Sequence, residues 1–168
     1  MDASELRALQ APIKDKYKIE PDAAVITLKA HGSLEDGIAC KVETGRALQI
    51  AGLHPKTGGS GRELCSGDML LEALVACAGV TLKAVATAID IPLKSGKVSA
   101  EGDLDFRGTL GVAKDAPVGF REIRLRFDVQ TDAPQEKLDQ LLKLTERYCV
   151  VYQTIKAGPK VDVSLQRA

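Results

Sequence analysis

Four cysteines, Cys40, Cys65, Cys77 and Cys149, are the side chains of this sequence best suited to covalent chemistry. Zinc binding needs ligands paired in a knuckle, and no C-x-x-C pair is present; His31 and His54 do not supply the missing spacing. Structural disulfides are superfluous in 168 residues of which 45% are hydrophobic, enough to build a core without covalent staples. Two uses remain: nucleophilic thiol chemistry, or the plain role of a small apolar residue in a core. The nucleophile is the thiolate, and burial favours the neutral thiol. A reactive buried cysteine must therefore receive a cation or oriented hydrogen bonds.

Cys77 lies in the most apolar part of the chain. From residue 67 to 91, Met69, Leu71, Leu74, Val75, Leu82, Val85 and Ile89 fall on nearly every side of a helix, with Ser66 as N-cap and Pro92 as stop. Such a helix is the centre of a core or a membrane span. Glu72 and Lys83 favour the core, because a charge at mid-bilayer costs about 2.5 to 3.5 kcal/mol while each Leu or Val returns only about 0.3 to 0.6. Cys77 shares a face with Leu70, Ala73, Leu74 and Ala84 and is expected to be buried. It stands too far from the first turn for its own helix dipole to activate it. A second helix is expected after Asp132 and Gln135, which resemble a capping box, with Leu138, Leu141, Leu142 and Thr145 as its buried stripe. Cys149, four residues after Thr145, points inward too if that helix continues.

The remaining segments are strand-like. Residues 24–30, 38–42 and 46–51 are short runs separated by Gly32, Gly37 and Gly45, and Cys40 shares an apolar face with Ile38 and Val42. Val98, Ala100, Leu104 and Phe106, and then Ile123, Leu125, Phe127 and Val129, alternate with polar residues as strands with one wet face; Val161, Val163 and Leu165 suggest a closing strand. A loose N-terminal helix precedes them. The order predicts an α+β fold with an antiparallel sheet. Residues 52–65 form a glycine-rich loop without the G-K-[ST] ending of a phosphate loop. Lys plus Arg (23) equals Asp plus Glu (23) and aromatics are 4%, which disfavours nucleic acid as a partner. The N-terminus lacks the apolar stretch of a secretory signal, so a cytoplasmic location without membrane attachment is expected.

The stretch from Cys65 to Leu82, with Asp68, an apolar run and Ala76-Cys77-Ala78-Gly79, resembles the central helix of the OsmC-like family, which includes the organic hydroperoxide resistance proteins. Glu43-Thr44-Gly45-Arg46 followed by Gly58-Gly59 is similar to the strand and loop before that helix, and Arg147-Tyr148-Cys149-Val150-Val151 to the region of the family's second cysteine. The resemblance spans residues 24–167. It implies an intertwined homodimer in which long central helices are wrapped by antiparallel sheets from both chains. The expected layout is an N-terminal extension over 1–22 and an OsmC-like peroxidase domain over 23–168. It further implies reduction of hydroperoxides by Cys77, resolution by Cys149, a dithiol reductant such as dihydrolipoamide, and no cofactor. Arg46 is the candidate cation for the thiolate, by strand parity with Leu48 and Ile50; alternatively it ends a strand and reaches solvent. The family's arginine-holding carboxylate matches Asp68, or less well Glu72; Asp68 also suits a plain first-turn charge. Val150 replaces the proline common after the second cysteine, which leaves open whether Cys149 starts a helix or lies inside one. Cys65 is a candidate regulatory thiol. Two other readings stay open: a non-enzymatic protein of the same fold that binds an apolar ligand or electrophile near Cys77, and a structural stress protein with inert cysteines.

Overall fold

The computed structural model describes residues 3–35, 39–42, 51–62 and 64–167. Helix α1 (Ala3–Ile19) leads through a short 3-10 turn at Pro21–Ala24 into β1 (Val25–Glu35) and β2 (Ala39–Val42). The long helix α2 (Ser66–Ala88) is followed by β3 (Ser95–Asp105), the single turn α3 (Phe106–Thr109), β4 (Glu122–Gln130), α4 (Gln135–Tyr148) and α5 (Val150–Ala157). The four strands form one antiparallel sheet in the order β2-β1-β3-β4. The α+β class expected from the sequence is the class observed.

Alternation puts Val98, Ala100 and Leu104 of β3 on the buried face, with Ile26 of β1 opposite Leu104, and Leu125 and Phe127 of β4 opposite Ala100 and Val98. Leu71, Leu74, Val75 and Ala78 of α2 pack against this face. A second cluster joins Leu82, Val85 and Ala86, further along α2, to Leu141 of α4 and Ile91. Gly102 sits where the Phe120 ring crosses the sheet; a Cβ there would come within 2.4 Å of the ring, so glycine is required for this closure. α2 is long and apolar enough to cross a bilayer by length and composition. Eight of its residues are nonetheless buried in the core, while Met69, Leu70 and Val80 stay 38–41% exposed.

Several local expectations need correction. β1 runs unbroken through Gly32, which pairs with Val98 on one side and Val42 on the other, so a glycine between two strands does not end either. α2 takes Cys65 as its N-cap, with Ser66 as first helical residue, and ends at Ala88, before the turn at Asp90 (φ 53°) and well before Pro92. α4 starts after Pro134; Asp132 is spent on an ion pair with Lys94 at 2.5 Å, so no capping box forms. Leu142, placed on the buried stripe, is 45% exposed. Val161, Val163 and Leu165 are 74–99% exposed and form no strand among the described residues. α1 is not loose. Its Tyr17 is buried in the core and donates its hydroxyl to the Lys56 carbonyl at 2.7 Å.

The outer face of the sheet is an ionic ladder. Arg124 grips Asp103 with two bonds (2.7 and 3.0 Å), flanked by Glu101 and Glu122 at 3.5 Å, and Thr27 donates to Asp103 from β1. Hydrogen bonds from Arg124 and then Thr27 hold the Asp103 carboxyl at about 2, below its ordinary 3.8. A carboxylate depressed on folding stabilises the protein above its unfolded pKa, and that contribution is lost as pH falls through the folded one. Asp103→Asn is expected to flatten the loss of stability between about pH 4 and pH 2 and leave the sheet intact at neutral pH. Urea midpoints measured across that window check this; unchanged steepness would remove Asp103 from the acid transition.

Candidate active site

Cys77 stands three turns into α2, half-buried, at the border between the face packed on the sheet and the exposed apolar face. Cys149 is buried at 1% exposure. Between α4 and α5 the helix breaks at this residue, whose φ −73° and ψ 106° are extended, so that it closes α4 and caps α5 at once. Its N–H still donates to the Thr145 carbonyl and its carbonyl accepts from Gln153 N–H, both at 2.9 Å, and the Gln153 side chain reaches back to the Glu146 carbonyl at 2.7 Å. The break is thus bonded on both sides. It is also a rotation. On one continuous helix Lys156, five full turns after Leu138, would lie on the buried stripe. Across the break Tyr152 stays on the inner side, Val151 and Ile155 turn in beside it, and Lys156 is exposed.

This rotation aims the first turn of α5 at Cys77. Burial pushes the Cys77 thiol up, but hydrogen bonds from the Val151 N–H, the Cys149 thiol, the Thr81 hydroxyl and the Val150 N–H outweigh it and leave Cys77 below the ordinary thiol value. The two N–H groups are among the unpaired donors that begin every helix, at its positive end. The positive end turned toward Cys77 is thus that of α5 and not of α2, which spacing within α2 does not reveal. Cys149 moves the opposite way. Burial raises it, and its bond to Cys77 and repulsion by that neighbour raise it further, against the N–H groups of Tyr152 and Val151. The two neighbouring thiols are thus shifted in opposite directions, Cys77 below and Cys149 above the ordinary thiol value.

The other predicted site residues are elsewhere. Arg46 lies outside the described residues. Asp68 is nine residues before Cys77, about 13 Å along the helix axis, so the two side chains do not meet. Its neighbours are His54 and Glu72. Burial raises Asp68, opposed by His54; burial and Asp68 raise Glu72; and His54 is lowered by burial, opposed by Asp68. His54 stacks on Phe106 with ring centroids 5.0 Å apart, and its Nδ1 accepts the Lys56 N–H at 3.0 Å. Cys65, half-buried, caps α2 and packs against the core, and Cys40 stands in β2 opposite Leu34. Among the described residues no group of three His, Cys, Asp or Glu is placed to hold a metal. A groove of about 660 Å³ is lined by apolar side chains such as Leu70, Leu74, Phe127 and Tyr152, with Arg121, Glu122, Glu146 and Lys156 among them; neither cysteine lines it. Leu74 is one turn before Cys77, and Tyr152 follows the Val151 N–H that reaches the sulfur.

A model of the OsmC-like protein family matches residues 59–164, a segment that contains both cysteines. No curated protein sequence matches the chain. Among solved structures, the crystal structure of an OsmC-like hydroperoxide resistance protein from Jannaschia sp. CCS1 superposes with a TM-score of 0.62 at 15% identity, covering 86% of this chain and 95% of the other. That likeness is one of fold. With more than half of its length matched by the family model, and with the fold to accompany it, the chain belongs to the OsmC-like family.

Proposed function

We propose that the protein is a thiol peroxidase that reduces organic hydroperoxides. The observation that carries this reading is the pairing of two thiols across α2 and the α4–α5 break, with Cys77 held below the ordinary thiol value and its neighbour Cys149 above it. The Cys77 thiolate attacks the distal oxygen of the hydroperoxide; the O–O bond breaks, the alkoxide takes a proton and leaves as alcohol, and the sulfur becomes a sulfenic acid. Cys149 then attacks that sulfur, losing its own proton; the sulfenic hydroxyl departs as water and a Cys77–Cys149 disulfide forms. An external dithiol such as dihydrolipoamide returns the pair to thiols by exchange and becomes a disulfide itself. Asp68 in this scheme acts, if at all, through Arg46 and not by touching Cys77. Two copies of the chain form the working unit, which would cover Met69, Leu70 and Val80 on the open side of α2 and give Val161, Val163 and Leu165 a surface to pair with. A cytoplasmic setting suits thiols that must be reduced between turnovers.

The apolar groove supports a preference for alkyl substrates. Each buried methylene contributes about 0.8 kcal/mol, so two or three carbons held through the transition state favour an organic hydroperoxide over hydrogen peroxide by roughly one to two powers of ten in kcat/KM. The same groove supports the second reading, a non-enzymatic binder of apolar ligands. Steady-state rates with hydrogen peroxide, tert-butyl and cumene hydroperoxides under one dithiol separate them: the peroxidase reading expects turnover rising with alkyl size and abolished by Cys77→Ser. Absence of peroxide consumption with retained ligand binding would favour the binder.

The role given to α5 has its own test in Val150→Pro. Proline fits the first position of a helix, and Cys149 already has the extended backbone that a following proline requires, so the fold is expected to survive. The substitution deletes one N–H donor to the sulfur. The alkylation profile of Cys77 against pH is expected to move up by less than about one unit, the Val151 N–H remaining in place. A profile that does not move would take Val150 out of the thiolate site.

A further inference from the structure

The groove and the cysteine pair share two walls. On α2, Leu70, Leu74 and Cys77 recur at the spacing of one helical face, and the groove is lined by the first two but not by the third. On α5, Tyr152 and Lys156 line it from one face, and the cap of that helix, Cys149, again lies outside. Leu74 and Tyr152 are therefore the last side chains of the groove on the way to the thiols, each three residues, or about 4.5 Å of helix axis, short of a cysteine. Tyr152 packs half-buried on the same core cluster as Cys77, a cluster to which Cys149 belongs. Its ring faces Lys156, whose Nζ stands 5.4 Å from the ring centre. Buried tyrosines usually tie down their hydroxyl, as Tyr17 does on the Lys56 carbonyl. No such bond to another described residue holds Tyr152.

We infer that Tyr152 is a specificity-determining residue of this site: its ring is the movable partition between the apolar groove and the Cys77–Cys149 pair, and it limits which alkyl chains can lie in the groove while their peroxide group reaches Cys77. The inference rests on the reading of Cys77 as the reacting thiol and adds to it the side chain that selects the substrate. Of the two halves of the partition only one can yield. Leu74 is 2% exposed and packed in the core, so its displacement would open that core. Tyr152 is held by packing and a surface cation alone, and a change of rotamer moves its ring aside. Hydrogen peroxide has no chain to place, and the half-buried Cys77 admits it without the groove.

The test uses the full chain with Tyr152→Ala, which removes the partition, Tyr152→Leu, which shortens it on a good helix former, and Tyr152→Phe, which keeps the ring without its hydroxyl. Two ratios are read. One is kcat/KM for cumene hydroperoxide over hydrogen peroxide under one dithiol; the other is the rate of Cys77 alkylation by N-phenylmaleimide over iodoacetamide, followed at the Cys77 peptide by mass spectrometry. Both are expected to rise roughly tenfold in Tyr152→Ala, as if one to two further methylenes were buried, to rise less in Tyr152→Leu and to keep the wild-type value in Tyr152→Phe. Either ratio unchanged or lowered in both ring-free variants, with peroxide turnover intact in the wild type, would overturn the partition and leave the reading of Cys77 standing. A raised alkylation ratio with no peroxide consumed by the wild type would overturn the peroxidase reading and, with it, the substrate role of the ring. Should Tyr152→Ala not fold, Tyr152→Leu and Tyr152→Phe carry the comparison.

Discussion

Forming a thiolate among apolar side chains is unfavourable, and in this molecule the first turn of α5 offsets the penalty. That turn is available only because the chain does not continue as one helix past Tyr148. A straight continuation would carry the Val150 and Val151 N–H groups into ordinary helical bonds, leaving neither to donate to Cys77. The break at Cys149 frees them, swings them toward α2, and places the second thiol at the pivot, within hydrogen-bond contact of the first. In the proposed chemistry, a single backbone feature would both activate one cysteine and deliver the other.

Everything else holds the two halves of this contact in place. α2 is clamped twice, by the sheet through Leu71, Leu74, Val75 and Ala78 and by α4 through Leu82 and Leu141. α4 in turn fixes the height of the junction, with Thr145 buried directly before it. Close packing makes this rigid, so Cys77 and α5 meet at a defined distance instead of by fluctuation. Toward the N-terminal end of α2 the electrostatic environment differs: Asp68, about two and a half turns before the sulfur, interacts with His54 and with Glu72, which is about one and a half turns before it.

Much of this arrangement is legible in the residues. The long apolar run around Cys77 announces α2, and strict alternation announces β3 and β4, because core burial imposes those periods directly. The sheet of four antiparallel strands follows in kind, though Gly32 was no boundary: tertiary pairing on both sides outweighed a weak local signal. The break at Cys149 was harder. Neither glycine nor proline marks it, and the β-branched pair Val150-Val151 is only a mild helix disfavourer. The available clue was Lys156, a charge that a continuous helix would have driven into the core. The approach of the α5 N–H groups to Cys77 was not legible at all, since it joins groups some seventy residues apart, and the tail with Val161 and Val163 has strand periodicity but forms no strand among the described residues. Periodicity specifies a face, not what covers it.

The central claim is that Cys77 and Cys149 form one redox unit, with Cys65 and Cys40 outside it. The most direct test adds one equivalent of cumene hydroperoxide to the fully reduced protein, blocks the remaining thiols with an alkylating agent and maps all four cysteines by peptide mass spectrometry. The account predicts loss of two thiols and a Cys77–Cys149 disulfide, with Cys40 and Cys65 alkylated in full. A disulfide from Cys77 to Cys65, or four thiols intact after the peroxide, would contradict it.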